Sequence, residues 1–273
     1  MRVRIGSHVA VAGGLVKVGL AEAAEVGAEI IQLFAGNPRS WVPAAVDPAA
    51  DEAFRTACAE RDLAVVVHAP HLINLCSPSD VVLSRSTAAL ELTMQRAASL
   101  GASTVVVHAG SLVTAGRRAD VLRGLRDLVV PIAHRWHDVR LLIEPTAGAG
   151  EAAASTIDSS VEYLDALDDP GIGPCLDTCH LHAAGEDLAS IEQVADRVGL
   201  IHVNDSRDPA GSRRDRHESL GRGTIGLPAL ENVLSALQGI PMLVETPTHV
   251  RDVALLKDMR DRVGAADRCS AVR

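Results

Sequence analysis

LAVVVHAPHLINL (63–75) is the stretch that decides the fold. Ala64 to His68 is a short β-branched run, too brief for a helix, and it gives way at once to proline and asparagine, which signal a loop. Three successive valines with no polar alternation suit a strand covered on both faces, as in a parallel sheet. The same figure returns in TVVVHAG (104–110), LLIEP (141–145), GPCLDT (173–178), LIHVND (200–205) and PMLVET (241–246). Six apolar runs therefore end on, or pass directly into, His68, His108, Glu144, Asp177, His202 and Glu245.

Working outward, the expected strands are Val3 to Ser7, Glu29 to Phe34, Ala64 to His68, Thr104 to His108, Val139 to Glu144, Ile172 to Leu176, Leu200 to Val203 and Pro241 to Glu245. Helical periods lie between them, at Asp51 to Arg61, Ser86 to Leu100, Ala119 to Arg135, Thr156 to Leu167, Asp187 to Val198, Pro228 to Leu237 and Arg251 to Arg262. Eight βα units of about thirty residues, with no linker between them, predict one closed (β/α)8 TIM barrel over residues 1–273. An open doubly wound sheet is the alternative, but eight parallel units close more naturally on themselves. The tail from Gly264 to Arg273 has little apolar pattern and is expected to be flexible.

Composition bounds the function. The chain is 47% apolar, enough for a large core, yet its apolar runs are too short to cross a bilayer and its N-terminus enters a strand at once. A cytoplasmic protein is expected, with no membrane partner and no obligate protein partner implied. Five scattered cysteines (Cys58, Cys76, Cys175, Cys179, Cys269) argue for reduced thiols rather than a disulfide framework. The net charge of −9 weighs against a polyanionic partner, although carboxylates that bind cations stop counting as free charge. Of 26 basic residues only Lys17 and Lys257 are lysines, so phosphate contacts would fall to arginine.

In a barrel the C-terminal ends of the strands form one rim, so the six ionisable residues converge on one pocket. One His or Glu after a strand is usually a satisfied polar group, but six together are hard to explain by folding. Burying unpaired carboxylates side by side costs on the order of several kcal/mol each unless cations neutralise them. Asp177 and His180 stand three apart, able to reach adjacent ions, and Asp215 and His217 in SRRDRHE (212–218) stand two apart in an extended segment, where both face one side. Nine candidate ligands are too many for one ion and about right for three. Imidazole and carboxylate without thiolate suit catalytic zinc or manganese, and Cys179 reads better as a small buried thiol than as a ligand.

HAPHLINL (68–75), VVVHAGS (105–111), IEPTAGAG (143–150), LDTCHLHAAGED (176–187), HVNDS (202–206), GSRRDRHESLGRGTIG (211–226) and LVETP (243–247) together resemble the signature blocks of the endonuclease IV family of apurinic/apyrimidinic endonucleases. The likeness runs in order from GSHVAVAGGL (6–15) to Glu245. It implies a barrel with three zinc ions, manganese being possible at one or more positions. His68, His108 and a bridging Glu144 would hold the first, Glu144, Asp177, His202 and Glu245 the second, and His180, Asp215 and His217 the third. The implied reaction is hydrolysis 5′ to an abasic site in double-stranded DNA, leaving a 3′-hydroxyl, with clearance of blocked 3′ ends as a related activity. Closely spaced cations would acidify a shared water and neutralise the phosphate, while Glu144 and Glu245 would orient or deprotonate that water.

By the same resemblance Arg39, His71 and Leu72 would enter the duplex at the lesion, with His71 standing where relatives more usually carry tyrosine. Arg216, opposite Asp215 and His217 in an extended segment, should turn away from the metal toward phosphate. Asn204 and Asp205 are candidates to orient ligands, Asp205 equally to cap its loop, and His8 to face the site from behind or to be a satisfied rim histidine. Gly13 and Gly14 mark a turn rather than a nucleotide loop, and His134, His137, His182 and His249 read as surface or helix positions. Pro145 replaces an asparagine common in relatives, and Pro174 must sit where its strand needs no donor.

Two rivals remain open. A barrel sugar isomerase or epimerase with one divalent ion needs only Glu144, Asp177, His202 and Glu245, leaving the other five candidates unused. A non-catalytic zinc-dependent DNA-binding protein would have closed structural sites instead of an open pocket with bridging carboxylates.

Overall fold

The computed structural model describes the backbone of residues 3–270 and the side chains of residues 3–264. The barrel strands are β1 (Ile5–His8), β2 (Ile30–Phe34), β3 (Ala64–His68), β4 (Thr104–His108), β5 (Arg140–Glu144), β6 (Gly173–Asp177), β7 (Leu200–His202) and β10 (Met242–Val244). All pair in parallel and close in the order β1-β10-β7-β6-β5-β4-β3-β2. The expected closed barrel is borne out.

The register explains why a lining of ionisable side chains exists at one end of the barrel. Ile30, Val66, Val106, Leu142, Cys175, Leu200 and Leu243 pack into one buried cluster, one residue from each of seven strands. Residues two apart on a strand share a face. Two positions on from each member of this plug lie Gln32, His68, His108, Glu144, Asp177, His202 and Glu245. The strands thus carry one inward apolar residue and then one inward polar residue toward the C-terminal rim. In β1 the inward apolar place is Gly6, where a Cβ would stand 1.6 Å from the Ile30 carbonyl oxygen, so only glycine lets β1 approach β2. His8 follows two residues later.

Outside the barrel, α1 (Leu20–Val26), α2 (Pro48–Glu60), α3 (Asp80–Ser99), α4 (Arg118–Arg135), α5 (Ile157–Leu167), α6 (Thr178–Ala184), α7 (Leu227–Ala236) and α8 (His249–Ser270) cover the sheet. Their starts follow local chemistry. Asp47 accepts from the amides of Ala49 and Ala50 with Pro48 in the first turn of α2, and Thr156 and Ser159 form a reciprocal capping pair at α5.

Several expectations need correction. Asp187 to Val198 is not an α-helix but a 3-10 stretch, Leu188–Val194, whose buried Leu188, Ile191 and Val194 recur every three residues, the period that suits the tighter turn. The region after β6, absent from the expected helices, is α6, with Asp177 as its cap. The polar loop after β7 contains a short antiparallel pair, β8 (Asp205–Ser206) with β9 (His217–Glu218). The last helix begins before and ends after its expected bounds, the backbone being helical to Ser270, and residues 271–273 of the expected tail lie outside the described residues. Cys58, Cys76, Cys175 and Cys179 are free and buried, while the side chain of Cys269 lies outside the described residues. Pro174 sits within β6 with its carbonyl accepting from the Gly199 amide.

Candidate metal centre

Three groups of donor atoms form at the C-terminal mouth: His68, His108 and Glu144; Glu144, Asp177, His202 and Glu245; and His180, Asp215 and His217, each with all its donor atoms within 4.8 Å of one another. Glu144 belongs to two of them and divides its oxygens accordingly. Its Oε2 lies 3.1 Å from His68 Nε2 and 3.4 Å from His108 Nε2. Its Oε1 lies 3.1 Å from His202 Nδ1 and 3.3 Å from His180 Nδ1. One carboxylate therefore faces two separate donor clusters. In the third group Asp215 faces both imidazoles, His180 Nε2 at 3.2 Å and His217 Nε2 at 3.1 Å. Cys179 forms a further group with Asp177 and His217, but burial pushes its thiol up to about 12, which keeps it a neutral thiol beside Asp177.

The far nitrogens of three rings are tied to acceptors, which selects their tautomers. His68 Nδ1–H donates to the Ala69 carbonyl at 2.7 Å, His180 Nδ1–H to the Pro145 carbonyl at 3.0 Å, and His202 Nε2–H to Gln32 Oε1 at 2.9 Å. With a cation bound, His68 Nε2, His180 Nε2 and His202 Nδ1, which face carboxylate oxygens, would be the nitrogens offered to it. Pro145, which lacks an amide donor, serves here through the carbonyl that proline retains.

Gln32 has no place in the ligand pattern read from the sequence. Its side-chain amide nevertheless joins two groups, since Nε2 also donates to Glu245 Oε1 at 2.7 Å. His8 Nδ1 stands 3.2 Å from the same nitrogen, which places His8 behind the ligands. Asn204 is the other orienting residue: its Nδ2 donates to Asp177 Oδ2 at 2.6 Å and its Oδ1 accepts from the Glu245 amide at 2.8 Å. Asp205 caps its loop, accepting from the amides of Ser206, Gly221, Gly223 and Ile225.

The charges fit cations. Burial alone would push Glu144 up, but His202 beside it holds its carboxyl well below the usual range. Burial pulls His217 down, yet Asp177, Asp215 and Glu245 raise it to about 9. Burial lowers His108 to about 3, so this ring stays neutral. Among the described residues no arginine or lysine pairs with Glu144, Asp177 or Glu245. Buried His180 Nε2 and His217 Nε2 have no hydrogen-bond partner although Asp215 oxygens are close to both. Buried ring nitrogens facing a carboxylate without hydrogen-bond geometry leave a position that a cation would complete by displacing the ring protons, and the imidazole and carboxylate donors suit zinc or manganese.

Residues 20–265 match the family model described as xylose isomerase-like TIM barrel. "Probable endonuclease 4" of Streptomyces coelicolor is 41% identical over 279 residues, covering 94% of this chain and 95% of the relative. "Probable endonuclease 4" of Mycobacterium marinum is 40% identical over 260 residues, covering 93% and 98%. The crystal structure of endonuclease IV from Thermus thermophilus superposes with a TM-score of 0.78 at 33% identity, over 96% of this chain and 99% of that one. The chain belongs to the endonuclease IV family. An L-ribulose 3-epimerase superposes almost as well, with a TM-score of 0.77, but at 17% identity that likeness speaks for the barrel alone. Family membership makes the chain an enzyme and leaves the epimerase reading unfavoured.

In this endonuclease IV-family chain the residues expected to meet DNA are placed less uniformly than the candidate ligands. Arg39 is exposed on the loop after β2, and the His71 amide donates to the Pro38 carbonyl at 3.0 Å, tying that loop to the one after β3. His71 stacks on His108 with ring centroids 5.3 Å apart and meets the Phe34 edge at 5.0 Å, so the smaller ring is seated among ligands. Leu72 is half-buried beside it. A mostly apolar cavity of about 520 Å³ runs from Phe34, His68 and Pro70 out between Trp41 and α3. Arg216, expected to turn toward phosphate, is engaged by Asp208 rather than standing free. His182 Nε2 lies 3.0 Å from Thr224 Oγ1, His249 pairs with Glu22 and His134 with Asp169, all apart from the ligand groups.

Proposed function

We propose that this chain is a zinc-dependent apurinic/apyrimidinic endonuclease. It hydrolyses the phosphodiester on the 5′ side of an abasic site in duplex DNA, leaves a 3′-hydroxyl, clears blocked 3′ ends, and acts in the cytoplasm in base excision repair. The observation that carries this reading is Glu144, with one oxygen turned to His68 and His108 and the other to His202, and with His180, Asp215 and His217 adjoining. Three ions held by these nine residues would supply the positive charge that acidifies a water and neutralises a phosphodiester, with manganese able to replace zinc.

The residues of the chain do the rest. Glu144 and Glu245, both held ionised, would orient the attacking water, and either carboxylate could accept its proton. Gln32 and Asn204 keep Glu245 in place through its side chain and its amide. Arg39, His71 and Leu72 line the approach and fill the space left at the lesion, an insertion that stabilises unstacked DNA by contact area. Arg216, 52% exposed even while paired, would contact the DNA backbone. A barrel isomerase would leave His68, His108, His180, Asp215 and His217 without work, and the 17% likeness to epimerases gives no reason to prefer it.

The experiment is a labelled abasic duplex incubated with native, chelator-stripped and zinc-restored protein. Nicking that disappears and returns supports the proposal, whereas nicking by fully stripped protein overturns it.

A further inference from the structure

Six of the nine ligands stand on barrel strands or in the first turn of α6 and Glu245 directly follows β10, while Asp215 lies on the loop between β8 and β9 and His217 opens the two-residue β9. A two-residue antiparallel pair is marginal by itself. Asp215 is also the one ligand with a half-exposed side chain, 51%. Something else must hold this segment so that both ligands face His180.

Arg216 stands between them, on the opposite side of the extended chain. Its Nε donates to Asp208 Oδ2 at 2.6 Å and its Nη2 to Asp208 Oδ1, a two-bond fork. Asp208 is itself fixed. Its carbonyl accepts from Ser206 Oγ at 2.9 Å and Thr224 Oγ1 at 2.6 Å, its amide donates to Ser206 Oγ at 3.3 Å, and only 7% of the residue is exposed. The Arg207 amide donates to the Arg216 carbonyl at 3.0 Å, so side chain and backbone of Arg216 are both held.

We propose that Asp208 is a positioning residue for the third metal site, clamping Arg216 from behind so that Asp215 and His217 present their donors to the same ion as His180. This rests on the reading of those three as ligands. The clamp depends on fork geometry, so Asp208→Asn weakens it by removing a charged acceptor, and Arg216→Lys breaks it while keeping the charge. Both variants are loaded with zinc, dialysed against a weak chelator and analysed for metal. A parallel cobalt-loaded set is followed by visible absorption, and thermal unfolding of the metal-free forms checks folding. Expected is a drop from about three ions per chain to about two, with affinity at the lost site weaker by about 10- to 100-fold, loss of one site's share of the cobalt spectrum, and no further loss in the double variant. Variants that keep three ions at native affinity overturn the proposal. So does Asp208→Asn with unchanged metal but tighter binding to DNA, which would mean that Asp208 merely withholds Arg216 from phosphate. Fewer than three ions in the unaltered protein would instead strike at the metal cluster itself.

Discussion

Gln32 shows what a single residue contributes and why it escapes notice. A neutral amide has no place in a ligand pattern, yet Gln32 occupies the inward position that holds His68 in β3 or His108 in β4, two residues beyond Ile30. Comparing equivalent strand positions, rather than looking for ligand types, is the signal that finds it. Since its amide fixes both the His202 tautomer and Glu245, Gln32→Leu should weaken zinc at the group of Glu144, Asp177, His202 and Glu245 by about 10- to 100-fold. Competitive chelation reads this directly, and native affinity in the variant would show that Gln32 orients nothing. Arg39→Ala and Leu72→Ala should lower affinity for an abasic duplex several-fold with metal content intact, as checked by electrophoretic mobility shift beside elemental analysis. Arg216 is legible only in direction: alternation turns it away from the ligands, but its partner lies eight residues back across a turn whose closure the sequence does not announce.

Among the elements, strands are more legible than their connections. An apolar run ending at His68 or Glu144 states both the strand and its inward end. The 3-10 stretch at Leu188–Val194 reads as an α-helix because three apolar residues spaced by three satisfy either period over so short a span. The β8–β9 pair leaves no trace in the sequence because each strand is two residues long. That loop also sets a pH response. In metal-free protein, burial lowers His217 but neighbouring Asp177, Asp215 and Glu245 raise it to about 9 from an ordinary 6.5. A raised folded pKa stabilises the fold fully below about pH 6.5 and ceases to do so as pH climbs through about 9. Stripped protein should therefore lose thermal stability across that interval, while zinc, which needs the neutral ring, binds more tightly across it. Scanning calorimetry at several pH values checks the first trend, and a melting temperature that stays flat or rises in stripped protein would contradict it.

The whole molecule is a barrel whose interior changes character along its axis, from the apolar plug of Val66, Val106 and Leu142 to the polar mouth above it. The plug excludes water beneath the carboxylates, and the helices outside bury two further apolar clusters. Leu142→Ala should cost about 2–5 kcal/mol in denaturant unfolding, the range for a buried leucine that leaves a cavity. It should also loosen Glu144, two residues on. A loss below about 1 kcal/mol would mean that the plug repacks more freely than a close-packed interior allows.

Everything at this scale converges on the number of cations at the mouth. The most direct measurement is elemental analysis of the purified protein, paired with nicking of an abasic duplex before and after metal removal. The expected result is about three zinc equivalents per chain and cleavage that is lost on stripping and regained with zinc. A single ion per chain, or cleavage undiminished in the stripped protein, would contradict it.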